Sequence, residues 1–127
     1  KDGKLIYDWF GGFGSAVFQH VVFSITKSLA SLLAGVLVGK GLIDPKRPVT
    51  DYLPELSGSA YTGATLRHLL DMQIASAFCE DYLDTTGIFM AYRRASASNP
   101  AEDNDHNDGL RDFLTKMPVS DSLHGKR

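Results

Sequence analysis

From Ser28 to Gly39 the chain reads S-L-A-S-L-L-A-G-V-L-V-G, a run without a single ionisable residue. Its length and its Leu and Ala content predict a helix, and a helix apolar on every side is predicted to be buried on every side. At the entrance to that run stands Ser24-Ile25-Thr26-Lys27. On a helix beginning near Ser24, the serine and the lysine fall on one face at i, i+3. A lysine held against a buried helix is placed to be desolvated, which favours its neutral, basic form. That makes Ser24 a candidate nucleophile and Lys27 the base that activates it.

The bare pattern does not decide the matter, because S-x-x-K arises by chance in roughly every second chain of this size at average residue usage. A structural reading stands beside the catalytic one: Ser24 as an ordinary N-cap and Lys27 with its stem along apolar surface and its ammonium in water. The setting favours the catalytic reading over a chance match, with an apolar approach at His20-Val21-Val22-Phe23 and Ser24 where the helix N-terminus begins.

Other patterns are excluded more firmly. A net charge of −2, with cationic residues only in isolated pairs such as Lys46-Arg47 and Arg93-Arg94, leaves no nucleic-acid footprint. The apolar run is shorter than the ~20 residues needed to span a bilayer and is bounded by Lys27 and Lys40. A single cysteine, Cys79, rules out an internal disulfide and is expected to be a small core residue. His20, His68, His106 and His124 lack zinc-ligand spacing, so no metal and no cofactor are expected. Asp103 to Gly109 resembles a calcium loop only superficially: Asp108 stands where the turn glycine belongs and Leu114 where the closing glutamate belongs. Gly35 to Lys40 is one residue short of a phosphate-binding loop and lies within the predicted helix.

Along the chain, Leu5–Phe10 is predicted as a strand after an Asp-Gly turn, and Gly11–Gly14 as a loop. The long helix is expected to end by Gly41, a glycine suited to a left-handed C-cap. Asp44–Pro48 is a rigid turn, Val49–Leu53 a short helical turn closed by Pro54, and Thr65–Met72 a helix with an Arg67–Asp71 pair. Asp84–Ala97 is expected to be helical in its middle, Asn99–Asp108 a polar loop, and Leu110–Met117 a last helix stopped before Pro118. The pattern suits the helical part of an α/β (α+β) sandwich.

Phe23 to Leu56 resembles the serine hydrolases related to class C β-lactamases, as does A-T-L-R-H-L-L-D-M from Ala64 to Met72. Phe78-Cys79-Glu80-Asp81-Tyr82 is most similar to the carboxylesterase and 6-aminohexanoate-dimer hydrolase branch, and similarity runs from about Lys4 to Arg127. The resemblance implies a β-lactamase/transpeptidase-like fold, represented by mainly its helical part and one N-terminal strand. It implies Ser24 as the acylated nucleophile, Lys27 in proton transfer, and Tyr82 over the active site in contact with substrate; a loop-packing role for Tyr82 is the other reading. Glu80 and Asp81 are expected to be loop charges. The implied substrate is a small ester or amide, for a carboxylesterase or amidase rather than a true β-lactamase. The family's second motif, Tyr-x-Asn, is not matched by Tyr7, Tyr52, Tyr61, Tyr82 or Tyr92, and its Lys-Thr-Gly-like third motif is not matched either. Residues 1–127 are therefore expected to form the N-terminal part of a longer hydrolase domain, associating with the rest of that fold or with itself. A non-catalytic relative that keeps the scaffold for binding is the alternative.

Overall fold

The computed structural model describes residues 1–100 and 109–126. Among the described residues five α-helices follow one another: α1 (Ile25–Gly39), α2 (Val49–Tyr52), α3 (Leu66–Leu70), α4 (Ile88–Ala95) and α5 (Gly109–Thr115), with a 3₁₀ turn at Pro54–Leu56. None of these helices is long and apolar enough to cross a membrane. The sequence-predicted polar loop lies outside the described residues from position 101 to 108, and the calcium-like pattern with it.

No strand forms among the described residues; the only ladder contacts are isolated bridges, Pro48 with Thr65 and Ser76 with Val119. This corrects the expected strand at Leu5–Phe10. The segment is exposed, with Leu5, Ile6 and Trp9 at 78%, 77% and 73%. A strand exists only when a neighbour takes its backbone groups, and no described segment does so.

The burial of α1 is corrected as well. It contains no buried residue, and Leu29, Leu32 and Leu33 are 61%, 69% and 61% exposed. The helix is held locally instead. At its C-terminus Gly41 adopts φ +67°, its N–H reaches the Val38 carbonyl at 2.9 Å, and the Leu42 N–H reaches back to Leu37 at 2.9 Å. That Schellman closure uses carbonyls that would otherwise be orphaned, and glycine takes the left-handed position without Cβ strain.

The core lies elsewhere. Val49, Leu56 and Ala64 are buried against one another, with Leu53, Tyr61, Ile74 and Leu114 packed around them. Pro48 begins α2 and Pro54 the following turn, so the chain reverses tightly enough to fold Leu56 back onto Val49. The Val49 N–H donates to Ala64, and an Arg111–Glu55 ion pair ties α5 to the 3₁₀ turn. On α3 a capping box forms: the His68 N–H donates to Thr65 Oγ1 and the Thr65 N–H to His68 Nδ1, both at 3.2 Å. Arg67 and Asp71 pair at 2.7 Å on its outer face.

Past α5 the chain runs back along residues 60–77 and fastens them. The Ala60 N–H donates to Met117 at 3.0 Å, the Ala77 N–H to Pro118 at 2.9 Å, and the Gly125 N–H to Gln73 at 3.0 Å. His124 accepts the Ala75 N–H on Nδ1 at 2.9 Å, and its Nε2 lies 3.0 Å from the Thr62 carbonyl. These bonds anchor the base of the loop that carries residues 78–83. Cys79, on that loop, is exposed rather than in the core.

Candidate active site

Ser24 is the N-cap residue of α1, with φ −69° and ψ −9°, and its side chain makes no capping bond. Its Oγ meets the Lys27 ammonium instead, Nζ donating to Oγ at 2.7 Å. The i, i+3 spacing causes this contact, because one turn of helix brings the two side chains over the same face. The backbone enters through Phe23 at φ +43°, a left-handed conformation unusual for a bulky residue. Three consecutive turn bonds, from Ile25, Thr26 and Lys27 to Val22, Phe23 and Ser24, then start the helix. Both Ser24 and Lys27 are exposed, so the described residues do not supply the burial that the apolar run predicted for the lysine.

A cleft of about 840 Å³ opens over this pair. Three parts of the chain wall it: Phe23 to Lys27 at the head of α1, Glu80 and Tyr82 from the loop, and Phe89, Tyr92 and Arg93 from α4. Ser24, Lys27 and Tyr82 thus share one cavity, although the serine and the tyrosine are 58 positions apart in the sequence. Its volume lies within the ordinary range for small-molecule sites, roughly 300–1,000 Å³.

Tyr82 is positioned from two sides. Its ring tilts against Phe89, centroids 4.6 Å apart, and its hydroxyl donates to Glu80 Oε1 at 2.5 Å. That bond, then slight desolvation and the nearby Glu80 charge, raises the Tyr82 hydroxyl above its ordinary value of 10.0, with Arg93 opposing. Asp81 turns the loop by accepting the Leu83 N–H at 2.8 Å, a structural task. Glu80 is more than a loop charge, since it lines the cleft and orients the tyrosine.

Sequence reasoning missed the α4 wall. Phe89, Tyr92 and Arg93 sit at i, i+3 and i+4, the spacing of a single helical face, which was the available signal. Phe78 adds a second layer, edge-on to Tyr92 with centroids 5.9 Å apart. At the head of α4, Asp84 accepts the Thr86 N–H and hydroxyl, both at 2.9 Å, and these bonds lower its carboxyl below the usual value. Among the described residues, no group of three His, Cys, Asp or Glu side chains is placed to hold a metal ion.

Comparison with known proteins decides the family. The Beta-lactamase family model matches residues 1–127, the whole chain. The chain belongs to the beta-lactamase family. Within it, the chain is 38% identical over 99 residues to the 6-aminohexanoate-dimer hydrolase of Paenarthrobacter ureafaciens. That match covers 78% of this chain and 25% of the relative, so the chain spans about a quarter of the length of the curated relative it matches. The beta-lactamase-family assignment makes a hydrolase fold the frame in which the Ser24–Lys27 contact is read.

Proposed function

We propose that Ser24 is the nucleophile of a serine hydrolase that cleaves a small ester or amide through an acyl-serine intermediate, with Lys27 as its proton acceptor. The observation that carries this reading is the 2.7 Å contact between Lys27 Nζ and Ser24 Oγ inside a substrate-sized cleft. A serine serving only as a cap would turn its oxygen toward the N–H groups of its own helix, and Ser24 does not.

In the acylation step, Lys27 in its amine form takes the hydroxyl proton as Oγ forms a bond to the substrate carbonyl carbon. The tetrahedral intermediate collapses with departure of the alcohol or amine, which takes up the proton held by Lys27 and returns that residue to its amine form. Water then attacks the acyl-serine, releasing the acid and restoring the hydroxyl. Among the described residues no carbonyl accepts the Ser24 N–H, which leaves that donor for the oxyanion. The head of α1 adds a partial positive charge of roughly half a unit beside it. Tyr82, held over the cleft by Glu80 and Phe89, contacts the substrate.

The test is covalent labelling of the full chain as its source produces it, using a fluorophosphonate probe and peptide mapping by mass spectrometry. The label is expected on Ser24. Ser24→Ala is expected to abolish it and to lower ester turnover by about a thousandfold or more. Labelling at another residue, or undiminished turnover in Ser24→Ala, would sink the assignment.

A further inference from the structure

Away from the cleft, two histidines distant in sequence meet face to face. His68 of α3 and His124 of the strap formed by residues 117–126 stack with ring centroids 5.9 Å apart and 28° between their planes, both half-buried. Each ring is held by a backbone N–H. The Thr65 N–H donates to His68 Nδ1 at 3.2 Å, and the Ala75 N–H to His124 Nδ1 at 2.9 Å. A ring nitrogen that accepts carries no proton, so both imidazoles are neutral with their hydrogen on Nε2. His124 Nε2 accordingly donates to the Thr62 carbonyl at 3.0 Å. Gly125 closes over the other ring. At φ +77° and without a side chain, it brings the strap to where a Cβ would stand 3.1 Å from His68 Nε2.

No carboxylate is placed to hold an added proton: among the described residues none lies within ion-pair distance of either imidazole. On the elements packed around the pair, α3 carries Arg67, whose partner is Asp71 at its C-terminal end. The 60–64 segment carries Tyr61 as its one ionisable group, the 73–77 segment carries none, and the strap carries the exposed Asp121 and Lys126. A proton on His124 Nδ1 would turn that atom into a donor facing the Ala75 N–H, and the bond would be lost. Protonation of both rings would set two like charges against each other across the stack.

We propose that the His68–His124 pair is a proton-operated clasp, with His124 as the positioning residue for the base of the loop that carries Tyr82. With both rings neutral, the strap holds residues 73–77 through the Ala75, Ala77 and Gly125 N–H bonds. The open form takes up a proton that the closed form excludes. The clasp is therefore closed at the upper end of the range, about pH 5–8, in which imidazoles change charge, and is lost toward its lower end. It is independent of acyl transfer at Ser24 and is read in backbone protection rather than turnover.

The test is hydrogen exchange on the full chain as its source produces it, read by mass spectrometry at about pH 7.5 and about pH 5 and corrected for the intrinsic effect of pH on exchange. Protection over residues 73–83 and 118–125 is expected to fall about 5–30-fold in acid, while that over Val49–Leu56 stays level. His124→Asn sets a carbonyl oxygen where Nδ1 accepts and cannot take a proton, so its protection should persist at both pH values. His124→Gln reaches toward Thr62 and leaves the Ala75 N–H alone, so its protection should be low at both. The native measurement needs no variant to fold: equal corrected protection at the two pH values overturns the clasp. So does a native-like acid loss in His124→Asn, or native protection at the higher pH in His124→Gln. An equal fall over Val49–Leu56 would be acid unfolding of the whole region and would overturn it too.

Discussion

α1 and the segment from Val49 to Ala64 are both rich in aliphatic residues, yet the structure treats them oppositely. Val49 and Leu56 are 2% and 3% exposed, whereas Leu32 on α1 is 69% exposed. The Val49–Ala64 segment folds back on itself through two prolines and a 3₁₀ turn, so its side chains cover one another. α1 is a single helix with no buried residue, half-covered at Leu37 and Val38 and open at Leu29, Leu32 and Leu33. Its order comes from its own hydrogen bonds and from the closure at Gly41, although helices of this length are marginal when unsupported. The candidate nucleophile and base therefore stand on the element held mostly by local forces, while the compact region at Val49–Ala64 and the strapping at 117–126 hold the opposing loop.

The largest stability difference is expected from the same truncation made in each region. Leu56→Ala empties the centre of the packed cluster and should cost about 2–5 kcal/mol. Leu32→Ala, on the exposed helix face, should cost less than about 0.5 kcal/mol. Urea unfolding of the full chain measures both. Equal costs would mean that α1 is covered as thoroughly as the core and would erase the contrast.

What the sequence made legible follows the range of the forces involved. The Ser24–Lys27 contact, the Arg67–Asp71 pair and the glycine closure at Gly41 are set within one turn of chain, and spacing alone announces them. The family was legible from the Phe23–Leu56 block, which the whole-chain match confirms. Burial was not legible for α1, because apolar composition states a need for cover without supplying it. The Leu5–Phe10 segment failed as a strand for the same reason: pairing is decided by a second segment. The approach of Arg93 to Ser24 depends on how α4 docks against the 78–83 loop, a long-range outcome that no local window contains.

A smaller effect isolates the local device. Gly41→Ala places a Cβ on a residue at φ +67°, with open space around it, so the cost is backbone strain alone. About 1 kcal/mol is expected, concentrated in the last turn of α1. Hydrogen exchange should show faster opening there with protection at Val49–Ala64 unchanged. Uniform loss of protection would show instead that α1 and the core unfold as one unit.

The smallest effect concerns the wall opposite α1. Glu80 raises the Tyr82 hydroxyl above 10.0 by holding its proton, so the folded state binds that proton more tightly than the unfolded chain does. The contribution is therefore complete below the unfolded value and is lost as pH rises through the folded one. Because Tyr82 is open to water, the consequence is a displaced titration more than a change in stability. Glu80→Ala should move the phenolate absorbance transition of Tyr82 downward toward 10.0, read as the difference from Tyr82→Phe in each background. An unmoved transition would mean that Glu80 does not hold the tyrosine in solution. The loop would then be free to carry Tyr82 off the cleft, and only the α1 and α4 walls would remain fixed around Ser24.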